Sequence, residues 1–251
     1  MKPAKINQAI ITPENWSELP MGDWLAMEIQ HKLDEWCPLM FGYHLLKLGT
    51  LSSQLSCAAS SIRHQCAVAP EGASLGIIAD VDELPIRSGS IDACLLAHLL
   101  DFSSDPHQIL REVERVLTPD GWIIISGFNP YSLVGLGRLL PNLRRRLPWS
   151  ARMFSPERVL DWLHLLGFEV VHLEGFAYST VTRRNRFHFW KEKTGRRCGY
   201  RFASTYMLAA RKRTIPLTRI REAAWLRRPV MVGGMARLNN PACTKSEGVN
   251  F

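Results

Sequence analysis

Several small or polar residues in this sequence follow apolar runs, at positions where α/β enzymes hold their ligands. They are Gly49, Pro70–Glu71, Asp80–Asp82, His98 and Asn129. Gly49 ends the run LLKLG, and a glycine at such a junction lets the backbone turn closely around a cofactor. His98 follows the run ACLLA, where a histidine can act as a general base or serve as a hydrogen-bonded core residue. These spacings predict a ligand site built from strand ends.

The elements that would position these residues alternate along the chain. Strands are predicted at Tyr43–Leu48, Ile62–Val68, Leu75–Ala79, Ile91–Ala97, Trp122–Ser126, Phe168–Leu173 and Thr205–Ala210. Helices are predicted at Met21–Trp36, Leu51–Ala59, from the Asp105 cap to Leu117, and from Ser155 to Gly167. This alternation indicates a parallel sheet covered on both faces, with ligands at the carboxyl ends of its strands.

The composition is that of an ordinary globular protein, with 251 residues, 46% hydrophobic and 22% charged. The six cysteines form no C-x-x-C pair, so we expect neither a zinc site nor a disulfide framework. The N-terminus lacks the apolar core of a signal peptide, and no apolar run reaches the roughly 18 residues of a membrane span. These features together predict a soluble cytoplasmic protein.

The net charge of +8 is unevenly distributed, because residues 138–228 hold 21 Lys/Arg and 6 Asp/Glu. Such a basic half can attract an anionic partner or form a solvated surface, and the solvated surface is favoured. Within it, residues 133–149 mix leucines with arginines. This segment is interpreted as a lid on its own domain, with peripheral contact to an anionic membrane or a lipid-like acceptor as the alternative. Arg183–Trp190 combines cations and aromatics as RNA-binding surfaces do, but no recognised RNA-binding module accompanies it.

The run from Asp80 to Pro130 resembles the class I S-adenosylmethionine-dependent methyltransferases, in particular the type-11 methyltransferase domain. The matching motifs are Asp80, Leu84-Pro85, Ile91-Asp92, His98, Asp105-Pro106 and Arg115–Gly121. Their order and spacing are consistent over about 50 residues, which makes the match specific. The resemblance implies a doubly wound, mainly parallel seven-stranded sheet of the Rossmann-like kind at 41–213. An N-terminal helical segment at 1–40 and a basic C-terminal extension with a flexible tail at 214–251 would flank it.

The resemblance also implies S-adenosylmethionine as the cofactor. The cofactor-binding residues that it implies are Gly49, Thr50, Glu71, Asp80, Val81, Leu96 and His98. Of these, Asp80 would accept a hydrogen bond from the adenine amine while Val81 covers the ring, and His98 is the candidate catalytic residue. Asn129 and Tyr131 resemble part of an Asn-Pro-Pro-Tyr motif that grips planar amides. They would face the substrate, although a simple turn is the favoured interpretation.

The loop after the first strand departs from the family pattern. Gly49 is its only glycine, and Lys47 or Leu48 stands where an acidic residue is expected. Thr50 and Ser52 are small and could still donate hydrogen bonds to a carboxylate. We therefore favour a methyltransferase acting on a small or lipid-like acceptor. The alternatives are an inactive binding protein of the same fold and an RNA-associated protein, and the acceptor and oligomeric state are left open.

Overall fold

The computed structural model describes residues 12–72, 75–140, 142, 146–178 and 200–214. Its strands are β1 His44–Leu48, β2 His64–Ala69, β3 Ile77–Ile78, β4 Ile91–Ala97, β5 Leu117–Phe128, β6 Phe168–Phe176 and β7 Thr205–Lys212. Its α-helices are α1 Gly22–Trp36, α2 Thr50–Ser53, α3 Pro106–Val116, α4 Leu133–Leu136 and α5 Pro156–Leu165. In this part of the chain, no helix is both long and apolar enough to span a bilayer.

The seven strands form one sheet in the order β3-β2-β1-β4-β5-β7-β6. β7 runs antiparallel to both of its neighbours, and the other pairs are parallel. The order reverses between β1 and β4. After β1 the chain adds β2 and β3 on one side of that strand, and it then crosses over to place β4 on the other side. Such a switch point opens a crevice at the carboxyl ends of the two strands. The predicted doubly wound, mainly parallel sheet is therefore confirmed.

Both faces of the sheet are covered by apolar packing. Leu45 and Leu46 of β1 belong to different core clusters, because successive side chains of a strand point to opposite faces. α1 packs against the face of Leu45, and α3 and α5 pack against the face of Leu46. α1 therefore shares a core with the sheet, and both belong to the compact unit at 1–214, while residues 215–251 are assigned to a second unit. The second unit lies outside the described residues.

The helix α3 forms where its capping signals predict it. Asp105 Oδ1 accepts a hydrogen bond from Gln108 N at 3.2 Å, and Pro106 occupies the first helical position. Its apolar stripe is fully buried and consists of Ile109, Leu110, Val113 and Val116. The helix runs directly into β5. Because β5 pairs with β4 in parallel, the ends of these two strands lie side by side.

The helix predicted at Leu51–Ala59 is wrong in extent, since α2 ends at Ser53. Side chains from other elements bind the backbone that follows. Lys47 Nζ donates to Leu55 O at 2.8 Å, and Gln30 bonds both the N–H and the C=O of Ser56. These tertiary bonds replace the helical ones, so the chain leaves the helix after one turn.

Candidate active site

The turn after β1 requires its glycine. Gly49 has φ +87° and ψ 161°, a region that residues with a Cβ occupy only under strain. Its N–H donates to Val68 O at 2.8 Å, which ties the turn to the end of β2. A Cβ at Gly49 would also lie 2.9 Å from Leu99 Cδ1, in the segment that follows β4. The single glycine of the loop thus stands where the chain turns at the switch point.

The two small hydroxyl residues of this loop bind the protein itself. Thr50 Oγ1 donates to Pro13 O at 2.8 Å. Ser52 is fully buried, and its Oγ accepts a hydrogen bond from Ala97 N at 2.7 Å. Ser52 therefore joins α2 to the last residue of β4 at the switch point. This cross-link replaces the direct ligand contact that its small size alone suggested.

The acidic candidates lie at the ends of the neighbouring strands. Glu71 follows β2 and is exposed, and Asp80 follows β3 and is exposed. Asp80 Oδ1 accepts Asp82 N at 3.0 Å, a turn that holds the carboxylate in place while solvent still reaches it. Val81 is half-buried against the core. Both carboxylates are therefore on the same sheet edge as Gly49 and available to a ligand.

The two candidates from β4 are both buried. Leu96 is buried in the same core cluster as Leu48 and Val68, so its side chain packs against the ends of the neighbouring strands β1 and β2. His98 directly follows β4 and adopts φ +53°, which is uncommon for a residue with a side chain. Its N–H donates to Ser126 O of β5 at 3.0 Å. The backbone at His98 is therefore held in a left-handed conformation at the end of β4.

A buried carboxylate, which the sequence did not single out, orients His98. His98 Nδ1 lies 3.0 Å from Asp101 Oδ2, and the two side chains are 0% and 1% exposed. Asp101 Oδ2 also accepts Phe128 N, at the end of β5, at 2.8 Å. Burial raises the pKa of the Asp101 carboxyl above its usual value, and the hydrogen bonds from His98 and Phe128 oppose that shift. His98 and Asp101 thus form a desolvated pair between the ends of β4 and β5.

The other ring nitrogen of His98 is enclosed by aromatic side chains. Nε2 is buried and has no hydrogen-bond partner among the described residues. The His98 ring lies 4.1 Å from the Phe128 ring and 5.8 Å from the Trp16 ring, measured between centroids. Trp16 Nε1 donates to Leu51 O at 3.1 Å. Trp16, which lies 35 residues before Leu51 in the sequence, therefore covers both the loop after β1 and His98.

The loop after β5 is a fixed turn. Asn129 is buried, its Nδ2 donates to Arg201 O at 2.7 Å, and its Oδ1 accepts Tyr131 N at 3.0 Å. These bonds use the amide of Asn129 to hold the backbone, as the turn interpretation expects. Tyr131 is exposed at this edge, while the basic and aromatic run at 183–190 lies outside the described residues.

Asp101 and Trp16 are the functional candidates that sequence reasoning missed. A signal for Asp101 was present, because a lone acid within the apolar run LLDF three residues after His98 needs a buried partner. Trp16 carried no such signal. It is remote from every motif and reaches the site only through the folded position of the segment before α1.

Comparison with known proteins agrees with this fold. The family model described as a methyltransferase domain matches residues 52–125. The uncharacterised protein YafS of Escherichia coli K12 is 42% identical over 223 residues, covering 87% of this chain and 88% of YafS. A ubiquinone biosynthesis O-methyltransferase of Leptothrix cholodnii is 25% identical over 129 residues, 49% of this chain and half of that protein's length.

A solved structure shares the fold. The S-adenosylmethionine-dependent methyltransferase from Archaeoglobus fulgidus superimposes with a TM-score of 0.52 at 18% identity. The match covers 74% of this chain and 94% of that one.

The residues present fit S-adenosylmethionine. The turn at Gly49 excludes a Cβ, and the carboxylates of Glu71 and Asp80 are open to hydroxyl or amine donors. Ribose hydroxyls and the adenine amine can donate to such carboxylates, and ligands of open α/β sheets bind at this end of the strands. From the domain match, the YafS relationship and the sheet topology, the chain belongs to the class I S-adenosylmethionine-dependent methyltransferases of the type-11 family, with S-adenosylmethionine as cofactor.

Proposed function

We propose that the protein methylates a hydroxyl group of a small, lipid-like acceptor, and that His98 removes the proton from that hydroxyl. The observation that carries this proposal is the buried His98–Asp101 pair, in which Nε2 has no partner among the described residues. A desolvated histidine held by a carboxylate is the arrangement that general bases use in other enzymes. An imidazole aimed at an acceptor needs one nitrogen free, and here that nitrogen is Nε2.

In this proposal Asp101 is ionised, and its hydrogen bonds then set the tautomer of His98. Asp101 Oδ2 accepts the N–H of Phe128, so this oxygen acts as an acceptor. An ionised Asp101 has no proton to donate, and the contact at 3.0 Å then requires that His98 Nδ1 carries the proton. Nε2 is therefore the lone-pair nitrogen. When it takes a proton, the carboxylate stabilises the resulting imidazolium.

The remaining residues have positioning roles. Bound S-adenosylmethionine supplies an electrophilic methyl group, and most of the acceleration comes from holding the acceptor atom in line with it. Asp80 and Glu71 would accept hydrogen bonds from the adenine and ribose groups. Gly49 and Ser52 hold the turn that separates these groups from His98.

The surroundings of His98 favour a flat, apolar acceptor. Trp16 and Phe128 present aromatic rings on two sides of the imidazole. Aromatic walls suit a ring that carries a hydroxyl group, because ring faces and edges pack without any need for polar partners. The Leptothrix relative is an O-methyltransferase of ubiquinone biosynthesis, which agrees with an acceptor of this class. Trp16 covers His98, so entry of the acceptor requires this side chain to move.

The test compares His98→Gln with His44→Gln. Glutamine keeps a polar side chain of similar length but cannot act as a base, and His44 lies exposed at the opposite edge of the sheet. Calorimetric titration with S-adenosylmethionine and S-adenosylhomocysteine comes first, followed by methyl transfer to phenols that carry alkyl or isoprenoid tails. For His98→Gln we expect kcat to fall by about 10²–10⁴, the usual contribution of a general base. Cofactor affinity should change little, and His44→Gln should behave as the wild type.

Two results would overturn the proposal. A His98→Gln protein with the wild-type kcat would remove the base from the mechanism. If the wild-type protein bound neither cofactor form at millimolar concentration, methyl transfer itself would be rejected.

A further inference from the structure

A row of apolar side chains protrudes from the segment after β5. Tyr131, Leu133, Leu136, Leu139 and Leu140, here called the leucine edge, are 70%, 49%, 58%, 69% and 57% exposed. The spacing of Leu133, Leu136 and Leu139 places them on one side of α4 and the 3₁₀ turn that continues it at Gly137–Leu139. Exposed leucines that adjoin one another form a patch, and such patches mark interaction sites.

The opposite side of this segment is fixed to the body of the domain. Val134 is buried, and its C=O accepts Trp149 Nε1 at 3.0 Å. A Cβ at Gly135 would lie 2.0 Å from Pro130 O, and one at Gly137 would lie 2.2 Å from Trp149 Nε1. The segment therefore packs on its own domain, as the lid interpretation expects. Its inner face is occupied, so the leucines cannot turn inward, and the outer face is left for a partner.

The charge of the segment indicates which partner. From Asn129 to Trp149 the sequence contains four arginines (Arg138, Arg144, Arg145 and Arg146) and no aspartate or glutamate. Arginine beside exposed leucine is the composition of segments that lie on anionic bilayers, where leucines enter the acyl boundary and cations meet the headgroups. A second copy of the chain would bring the same arginines together across a two-fold axis, with no acidic residue in the segment to neutralise them.

We propose that the leucine edge docks on the surface of an anionic lipid bilayer. The segment that carries the leucine edge follows β5 directly, and β5 supplies the Phe128 N–H that binds Asp101. Docking would therefore hold the sheet edge that carries His98 towards the membrane. If the acceptor is lipid-like, as proposed above, the same contact would place the enzyme on the membrane in which the acceptor is dissolved. The docking itself depends on neither the acceptor nor His98.

The experiment is vesicle flotation of the full chain. The vesicles contain phosphatidylcholine alone or phosphatidylcholine mixed with phosphatidylglycerol. The test variant is Leu136→Ser/Leu139→Ser. The matched control is Met27→Ser/Leu165→Ser, which removes two aliphatic side chains from α1 and α5 that are at least as exposed. Cofactor titration and thermal unfolding accompany each variant, since loss of binding is informative only in a folded protein.

We expect the wild type to float with anionic vesicles and to float less at high salt, because ions screen the arginine contacts. The Leu136→Ser/Leu139→Ser variant should bind about tenfold more weakly or worse, given the apolar area of two leucines. The control and His98→Gln should float as the wild type does. The proposal is overturned if the wild type does not bind anionic vesicles at millimolar lipid, or if the leucine variant binds equally well. A wild-type dimer that the leucine variant converts to a monomer, without lipid binding, would assign the edge to a second copy instead. A failure of vesicle binding leaves the His98 tests untouched.

Discussion

Replacing Gly49 by alanine adds one methyl group at the turn between β1 and α2. The backbone there has φ +87° and ψ 161°, and an L-residue in this region costs about 1–3 kcal/mol. The new Cβ would lie 2.9 Å from Leu99 Cδ1, which is the tip of a side chain and can move at small cost. We therefore expect the free energy of unfolding to fall by roughly 1–3 kcal/mol, almost all of it from backbone strain.

The added Cβ matters for ligand binding because the bare backbone of a glycine is what allows a turn to approach a cofactor closely, and Gly49 is the turn at the switch point. We expect the dissociation constant for S-adenosylhomocysteine to rise at least tenfold, or about 1.4 kcal/mol. Calorimetric titration measures this constant, and urea unfolding followed by circular dichroism measures the stability of the same preparation.

Gly89→Ala provides the matched control. Gly89 also has a positive φ, of +63°, but a Cβ there meets nothing within 4 Å, and the residue precedes β4 at the opposite edge of the sheet. Gly89→Ala should lower the free energy of unfolding by about 1–2 kcal/mol through backbone strain and should leave the cofactor affinity unchanged. If folded Gly49→Ala bound the cofactor as tightly as the wild type, the turn would be a strand end without a part in the site. Equal losses of affinity in both variants would refute the steric argument as well.

Two further predictions separate the ligand edge of the sheet from the opposite edge. Asp80→Ala should weaken cofactor binding by about 1–3 kcal/mol, the cost of losing a hydrogen bond to a charged group, and should leave the melting temperature nearly unchanged. Calorimetric titration tests this, and an unchanged affinity would remove Asp80 from the site. Asp92 accepts hydrogen bonds from Tyr43 N, His44 N and Thr118 Oγ1 at the far edge. Asp92→Ala should therefore lower stability by about 1–3 kcal/mol without changing the cofactor dissociation constant, and a loss of affinity alone would contradict this assignment.

Local patterns sufficed for the strands and for the long helices. β4 was predicted at the observed bounds, and α3 follows its Asp105 cap and Pro106 start. These signals are local, because side-chain periodicity and capping depend on residues within a few positions of each other. The strand ends then placed Gly49, Asp80 and His98 on one sheet edge, since parallel strands all finish on the same side. Their assignment to the cofactor and the predicted domain bounds stay predictions.

The chemistry of the site depends on contacts between residues far apart in the chain. Ser52 bonds Ala97, Phe128 bonds Asp101, and Trp16 packs beside His98, and none of these pairs is marked by a local pattern. The same is true of α2, which ends early because Lys47 and Gln30 bind the backbone after it. A sequence shows that a residue is polar or apolar, and at what period it recurs. Whether a buried hydroxyl, carboxylate or imidazole finds a partner depends on which elements the sheet order brings together, and that order is set by packing over the whole domain.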